Sequence, residues 1–336
     1  MLKSLYSGIT GMRVNQTKLD VIGNNLANVS TTAFKGSRVT FSTTISQTLT
    51  SASAATDSLG GKNGQQIGLG AQIASIDKVM SQGSMQSTSR ALDVAIDGSG
   101  YFMVASGPAL TTGDGFMVDA DSKQTVPDNT SVSYTRDGSF VLDNEGNLLT
   151  TSGYRVLGYA IRNGANTNMD ANGNIEYVES KNDTEAADEE LVTLKIPDAV
   201  LKDDGNGNKV KVAIKSFNIS TDGLITGVLE NGEIAALGQI AMASFKNEVG
   251  LTEVGNNMYQ ASGSSGTAII SGGKNGATGR DSKGYGDMLQ GYLEMSGVDM
   301  SEQFTDMIVA TKAFQAAGKT ITTGDEILSE IINLKR

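Results

Sequence analysis

Residues 300–335 read MSEQFTDMIVATKAFQAAGKTITTGDEILSEIINLK, and their apolar side chains recur at spacings of three and four. Such a narrow stripe is more typical of a coiled-coil seam than of the broader face of a globular helix. The stretch predicts a helix roughly 50 Å long, at a rise of 1.5 Å per residue. Asp299 can cap this helix, with Glu302 at the third position. The predicted seam consists of Met300, Phe304, Met307, Phe314, Ile321, Leu328 and Ile332, interrupted by Thr311, Gly318 and Asp325.

A stretch near the N-terminus has the same period. Its seam consists of Leu2, Leu5, Ile9, Met12, Leu19 and Leu26, with Gln16 and Gly23 at the two remaining seam positions. Glycines inside the two predicted helices each cost about 1 kcal/mol relative to Ala, so both helices need partners. Two arrangements are open. The helices pair only with each other as a terminal hairpin, or they pack against helices of neighbouring copies, which would couple folding to assembly.

The sequence between these helices has a different character. Residues 42–66 are rich in Ser, Thr, Ala and Gly and indicate a flexible or extended connector. From about residue 67, short apolar alternations separated by turn residues predict β-strands. Residues 162–209 are strongly acidic and poor in core residues, which predicts an exposed insertion or a small outer lobe. The predicted strands and turns include Val94–Ile96, Tyr101–Val104, Asp137-Gly138, Phe140–Leu142, Asp143–Gly146, Val210–Ile214 and Gln239–Phe245.

The predicted fold class is therefore mixed, α plus all-β. Long N- and C-terminal coiled-coil helices flank a β-rich middle region that carries a small inserted outer lobe. A length of 336 residues by itself predicts roughly two domains. The predicted division is a terminal helical domain at 1–30 and 298–336, a connector at 31–66 and 285–297, a β-rich domain at 67–161 and 210–284, and the acidic lobe at 162–209.

Composition excludes several classes of function. The chain has no Cys and no His, which removes thiolate metal sites, cysteine nucleophiles and every Ser-His-Asp arrangement. A formal net charge of −11 opposes binding to nucleic acid, whose affinity for proteins comes largely from basic patches. No stretch approaches the 18 or more apolar residues that span a bilayer, and residues 1–26 lack the pattern of a cleaved signal peptide. We expect neither membrane insertion nor general secretion.

Motifs that suggest a ligand site fail on inspection. Gly318-Lys-Thr320 has the tail of a phosphate loop, but Ala313 stands where that loop needs Gly, and the segment lies in a predicted helix. The acidic and amide residues of 170–176 alternate like a calcium loop, yet Ile175 replaces the required Gly. Residues 143–147 fail the same test and fit a hairpin loop. Pairs of carboxylates are explained by chance, so we expect no catalytic residue, no metal site and no cofactor.

Several motifs in fixed order resemble one known family, the axial proteins of the bacterial flagellum, which comprise rod, hook and hook-filament junction subunits. The resemblance covers nearly the whole chain. The motifs that carry it are Asn24-Asn-Leu-Ala-Asn28, Thr32-Ala-Phe-Lys35, Leu92-Asp-Val-Ala-Ile-Asp-Gly98, Gly100-Tyr-Phe102, Tyr134-Thr-Arg-Asp-Gly138, Leu293-Glu-Met-Ser-Gly-Val-Asp299 and Ile321-Thr-Thr-Gly-Asp325. The chain departs from the family pattern at Ala33, where Gly is usual, at Gly297, where Asn is usual, and at Thr311-Lys312, where Gln-Arg is common.

Within the family, three segments resemble the hook subunit: residues 154–159 (YRVLGY), residues 237–257 with their GLTE and GNN sequences, and Val298-Asp-Met300. Distal rod proteins share the ends and the Tyr-Thr-Arg-Asp-Gly motif, but are generally shorter. The sequence thus predicts a hook subunit that forms a curved hollow tube and transmits torque. A distal rod protein is the alternative, and a secreted binding module with a helical stalk is a third reading.

The resemblance also implies partners and a location. It implies an inner tube built from both terminal helices around an export channel, surrounded by β-rich outer domains that contact neighbouring copies. The implied partners are other copies of this chain, rod and hook-filament junction proteins, the hook cap during assembly and the type III export apparatus. The implied location is the extracellular hook or the basal body, reached without a cleaved signal peptide.

Overall fold

The computed structural model describes residues 2–334 apart from 55–59, 114–115, 119–123, 126–129, 164–165, 171–172, 181–185, 204–208 and 272–284. Contacts separate the chain into two compact units. Unit 1 comprises Met1–Ser81 and Ser296–Arg336, and unit 2 comprises Gln82–Met295. Residues 31–81 therefore belong to the same unit as the terminal helices. The division into helical domain, connector, β-rich domain and acidic lobe stays a prediction.

Two helices form the long elements of unit 1. Helix α1 spans Leu2–Ala27 and helix α2 spans Met300–Leu334, which confirms both predicted helices. The Oδ1 atom of Asp299 accepts hydrogen bonds from the backbone N–H groups of Ser301 at 2.8 Å and Glu302 at 3.4 Å. Asp299 is therefore the N-cap that the sequence predicts, and it satisfies amides that the helix itself leaves unpaired.

Two antiparallel strand pairs complete the described part of unit 1. Strand β1 (Ser37–Thr43) pairs with β4 (Ala71–Lys78), with an irregularity between Thr40 and Phe41. Strand β2 (Ser46–Thr50) pairs with β3 (Gln65–Gly68). The segment predicted as a flexible or extended connector therefore contains extended backbone that is partly paired. Isolated two-stranded ribbons are marginally stable in water, so these strands depend on neighbouring elements.

Unit 2 is built from antiparallel strands. Those from its first half are β5 (Met85–Ser87), β6 (Val94–Asp97), β7 (Tyr101–Ser106), β8 (Phe116–Val118), β9 (Gln124–Thr125), β10 (Ser131–Thr135), β11 (Phe140–Leu142), β12 (Leu148–Thr150), β13 (Arg155–Asn163) and β14 (Asn166–Thr167). The others are β15 (Ala186–Thr193), β16 (Ala199–Asp203), β17 (Lys209–Ile219), β18 (Leu224–Leu229), β19 (Ile234–Ile240), β20 (Met242–Ser244), β21 (Thr252–Gly255), β22 (Met258–Gln260), β23 (Ile269–Ser271), β24 (Asp287–Gln290) and β25 (Tyr292–Glu294). A short 3₁₀ turn spans Glu248–Gly250. The β-rich middle region is thus confirmed.

The two ends of unit 2 pair with each other. Strand β6 pairs antiparallel with β24, and β5 pairs antiparallel with β25. Met288 of β24 is almost fully buried and belongs to the same apolar core as Val94 and Ile96 of β6. Residues that are about 200 positions apart in sequence therefore share one core.

The inserted outer lobe is not confirmed. Ile175, Leu194, Ile196 and Val200 all lie within the segment predicted as a lobe, yet they are buried in the main core of unit 2. Strand β15 of this segment pairs with β13, with Val192 opposite Gly158. The acidic residues at 183–190 directly precede the consecutively buried residues 191–194, so composition averaged over the whole segment hides the buried stretch.

Candidate assembly surface on the terminal helices

Helices α1 and α2 lie antiparallel, and glycines form their closest contacts. A Cβ added at Gly8 would lie 2.8 Å from Oγ1 of Thr320 and 3.0 Å from Cγ1 of Ile321, and one added at Gly324 would lie 2.8 Å from Cδ2 of Leu5. The glycines that weaken each helix by itself therefore let the two backbones approach each other.

Polar contacts fix the other end of the same helix pair. Lys18 of α1 forms an ion pair with Asp306 of α2, at 3.2 Å from Nζ to Oδ1. Asn25 is buried and bridges three elements. Its Nδ2 donates to the carbonyl of Ser37 at 2.8 Å and to Oε1 of Gln303 at 3.1 Å, and its Oδ1 accepts from the N–H of Ser37 at 2.9 Å. A side chain from the Asn-Asn-Leu-Ala-Asn motif thus holds α1 to β1 and to α2.

The structure separates the predicted seam into two sets. Leu5 packs at Gly324, Met12 lies near Gly318, and Ile321 lies near Gly8, so these three seam residues meet the partner helix. The half-buried seam residues are Leu5, Met12, Leu19, Leu26, Met307, Ile321 and Leu328, the exposed ones are Ile9, Met300, Phe304, Phe314 and Ile332, and the side chain of Leu2 lies outside the described residues. A role for the seam in contacts between copies stays a prediction, as does coiled-coil packing.

Sequence reasoning missed several exposed apolar residues on the helices. Ile308 lies four residues after Phe304 and continues a row of exposed apolar side chains that begins at Met300. A second row lies near the C-terminal end of α2, where Ile327, Ile331 and Leu334 are exposed. These positions lie off the single 3.5-residue seam, and searching α2 for a second i, i+4 row would have found them. Tyr6 on α1 and Val309 on α2 are exposed as well.

Exposed apolar residues also lie on the strand pair beside α1. Phe41 of β1 pairs with Ile73 of β4, and both side chains are exposed, as are those of Ile76 in β4 and Ile45, which lies just after β1. Soluble monomers rarely leave large contiguous apolar surfaces exposed to water. The apolar side chains on the helices and on this ribbon together form the candidate assembly surface.

A second buried anchor holds the chain that follows α1. Lys35 is 1% exposed, and its Nζ donates to the carbonyl of Ser81 at 2.9 Å. The carbonyl of neighbouring Phe34 accepts from the N–H of Gly297 at 3.2 Å. Ala33 has a φ of 54°, in the left-handed region that favours glycine, which accounts for the usual Gly in the family pattern at this position.

In unit 2, Arg136 of the Tyr-Thr-Arg-Asp-Gly motif contacts residues from three other family motifs. Its Nε forms an ion pair with Oε2 of Glu294 at 2.9 Å, and its Nη2 donates to the carbonyls of Ile96, at 3.2 Å, and Gly98. The guanidinium carbon lies 5.7 Å from the ring centroid of Tyr101. Burial, followed by the nearby Glu248 carboxylate, raises the pKa of Tyr101 well above its usual range, so this hydroxyl stays protonated.

The rejected ligand motifs lie in ordinary structural settings. Gly318-Lys-Thr320 is inside α2, away from any strand-to-helix turn. Asp143 closes the turn between β11 and β12, where its Oδ1 accepts from the backbone N–H groups of Glu145 and Asn147 at 2.9 and 2.8 Å. The carbonyl of Asp170 likewise accepts from the N–H of Gly173 at 2.7 Å. Across the described residues, no group of three or more Asp and Glu side chains could hold a metal ion.

Neither of the two described helices is long and apolar enough to cross a membrane. Unit 1 exposes apolar side chains along its paired helices, and polar side chains such as Asn25 and Lys35 anchor its fold. Lys18 and Asp306 hold α1 to α2 through their ion pair.

Comparison with known proteins identifies relatives along the whole chain. Three family profiles match: "Flagella basal body rod protein" at residues 5–35, "Flagellar hook protein FlgE/F/G D1 domain" at 110–227 and "Flagellar basal body rod FlgEFG protein C-terminal" at 289–334. The first and third profiles fall on the two helices, and the second falls within the β-rich unit.

Full-length relatives agree with these profiles. The flagellar basal-body rod protein FlgG of Bacillus subtilis (strain 168) is 42% identical over 336 residues and covers all of both chains. The flagellar hook protein FlgE of Borreliella burgdorferi is 30% identical over an alignment of 448 positions, and the flagellar basal-body rod protein FlgG of the same organism is 32% identical over 338 positions; each alignment covers all of both chains. The chain therefore belongs to the family of flagellar rod and hook proteins, the structural proteins of the flagellar axis.

Proposed function

We propose that this chain polymerises into a hollow helical tube of the flagellar axis, and that its place in the tube is the hook. The observation that carries the proposal is the exposure of large apolar side chains on helices that are already paired with each other. Ile308 is 62% exposed and Leu334 is 82% exposed. Pairing α1 with α2 leaves these residues in water, so a further surface is needed to cover them.

We propose that other copies of the same chain pack against these exposed apolar side chains. The exposed rows lie on α2 and the exposed ribbon residues lie on β1 and β4, so the two apolar surfaces belong to different elements. Contact between different surfaces of two copies is heterologous, and such contacts build open helical polymers when the rotation does not close. The predicted seam residues that remain exposed, Phe304 and Phe314 among them, would then be covered by neighbouring subunits.

The position in the hook is supported by sequence. Residues 154–159, 237–257 and 298–300 resemble the hook subunit. Polar β-strand surfaces that slide past one another would let a tube bend and still transmit torque, while apolar helix contacts would keep it continuous.

A distal rod subunit is the second candidate. The 42% identical relative carries the rod name and aligns over 336 residues, which is also the length of this chain. The alignments with the hook-named relatives extend over 448 and 478 positions, more than the 336 residues of this chain. The rod candidate shares the polymerisation chemistry and differs in requiring a straight, rigid tube.

The proposed partners follow from this placement. They are further copies of the chain, rod and hook-filament junction proteins, the hook cap during assembly and the type III export apparatus. The proposed function needs no cofactor, metal or catalytic residue. It places the chain in the flagellum and requires neither nucleic acid nor insertion into a membrane.

Electron microscopy of the purified chain at increasing concentration tests the proposal. We expect tubes of defined width above a critical concentration, and curved tubes if the chain forms the hook. Straight tubes would favour the rod, and a monomer at every concentration would contradict polymerisation. Basal bodies from a deletion strain give an independent result, since loss of a hook subunit leaves a complete rod, whereas loss of a distal rod subunit leaves a truncated one.

A further inference from the structure

We propose that a groove at one end of the helix pair receives the C-terminal end of α2 from a second copy of this chain. This inference rests on the proposed function and deepens it, because it names two surfaces that meet during polymerisation. The groove lies within unit 1, between the C-terminal half of α1, the N-terminal end of α2 and strand β1.

The groove is lined by apolar side chains and by more carboxylates than cations. It has a volume of about 340 Å³, and the side chains of Val21, Val39 and Val79 contribute to its lining. Asp306 is neutralised by the ion pair with Lys18, whereas Glu302 is exposed at the first turn of α2. Together with Asp299, the lining carboxylates outnumber the lining cations, which are Lys18 and Arg38.

The C-terminal end of α2 has the complementary character. Ile331 is 47% exposed and Leu334 is 82% exposed, although both are large apolar side chains. Lys335 and Arg336 follow them directly in the sequence. An apolar pair followed by two cations matches a groove whose lining combines apolar side chains with an excess of carboxylates.

The two surfaces cannot meet within one chain. Glu302 and Leu334 lie on the same continuous helix, and at 1.5 Å per residue they are about 48 Å apart. The groove of one copy can therefore receive this end of α2 only from another copy. Because the contact joins opposite ends of unit 1, it is heterologous and repeats along a line, as an axial polymer requires.

Disulfide trapping tests the contact directly, and the absence of native Cys provides a clean background. Val39→Cys is made in one preparation and Leu334→Cys in another, and the two are mixed, assembled and mildly oxidised. We expect a disulfide-linked pair of chains. Thr322→Cys, at an exposed position of α2 away from its end, serves as the matched control. If Val39→Cys links to Leu334→Cys no more than to Thr322→Cys, the proposed contact is wrong.

Charge exchange gives a second readout. Glu302→Lys and the pair Lys335→Glu with Arg336→Glu should each raise the critical concentration for assembly roughly tenfold, and mixing the two variants should restore it. Circular dichroism and thermal unfolding of each variant establish that it is folded. Normal assembly of the separate variants, or failure of the mixture to recover, would overturn the contact.

Failure of the contact is distinguishable from failure of polymerisation. If the unmodified chain forms tubes while trapping and charge exchange both give negative results, the proposed function stands and the groove contact falls. If the unmodified chain forms no tubes at any concentration, the proposed function falls as well.

Discussion

The Nε atom of Arg136 lies 2.9 Å from Oε2 of Glu294, and the two side chains are only 2% and 1% exposed. Glu294 also accepts a hydrogen bond through Oε1 from the backbone N–H of Gly83, at 2.8 Å. The pair joins the turn after β10 to the last strand of unit 2, across more than 150 residues of sequence. Removing one partner leaves a buried charge unpaired, which is far more costly than losing an ion pair in water.

Replacing Glu294 with Gln should destabilise unit 2 by about 3 to 5 kcal/mol, because Arg136 would keep a buried charge without its partner. Urea unfolding followed by circular dichroism measures the loss. The matched control is Glu233→Gln, which breaks the more exposed pair between Lys202 and Glu233 and should cost far less. Equal losses in the two variants would show that the buried pair has no special role.

Adding a methyl group at Gly138 should disrupt the turn between β10 and β11. A Cβ there would lie 1.7 Å from the carbonyl oxygen of Val94, so the backbone of β6 must move. We expect Gly138→Ala to lose several kcal/mol, in the range of overpacked cores. Gly263→Ala is the control, since a Cβ there meets nothing within 4 Å. The comparison of the two midpoints of thermal unfolding decides the prediction, and an unchanged midpoint for Gly138→Ala would refute it.

Two glycines of α1 should respond to Ala in opposite directions. At Gly23 a Cβ meets nothing within 4 Å, so Gly23→Ala should stabilise the helix by about 1 kcal/mol. At Gly8 the added Cβ collides with Thr320 and Ile321 of α2, so the gain in propensity should be offset by separation of the helices. Helical content by circular dichroism and thermal unfolding measure both effects. Stabilisation of similar size at both sites would contradict the close packing.

Acid should remove a contribution that Asp143 makes to stability. Burial by itself would raise the pKa of Asp143, but hydrogen bonds from the Asn147 side chain and from backbone amides outweigh burial and hold the pKa below 3.8. A lowered folded-state pKa contributes stability that is complete above the unfolded pKa of about 3.9 and is lost as pH falls through the folded value. Asp143→Asn should therefore cost about 1 kcal/mol at pH 7 and less at pH 2. Urea unfolding at the two pH values measures this difference, and a cost that does not change with pH would contradict the assignment.

The helices could be predicted from the sequence because their signals are local. The apolar period defines α1 and α2, and the side chain of Asp299 marks the start of α2. Turn signals are local as well, because a turn is formed by neighbouring residues. Asp137-Gly138 therefore predicts the turn between β10 and β11. The family can be identified from the sequence because its motifs occur in a fixed order along the chain.

Long-range features could not be predicted. The partners of Arg136 and Lys35 lie far away in sequence, and nothing near either residue indicates that its charge is buried. Asn168 is fully buried and donates to the carbonyls of Ala236 and Leu237 at 3.2 and 3.0 Å, although its segment had the composition of an exposed lobe. On α2, the exposed residues Ile308, Ile327 and Ile331 lie off the single 3.5-residue seam, so the period of that seam does not indicate them.

The pairing of β6 with β24 and of β5 with β25 also has a kinetic consequence. Contacts between residues so distant along the chain raise the contact order, and closing so long a loop carries an entropic penalty that slows folding. A growing polypeptide that has reached residue 250 still lacks Met288 and Glu294, so it cannot complete the apolar core or form the buried ion pair with Arg136. We expect the unit to mature only after nearly all of its residues have become available, and to remain loosely structured until then.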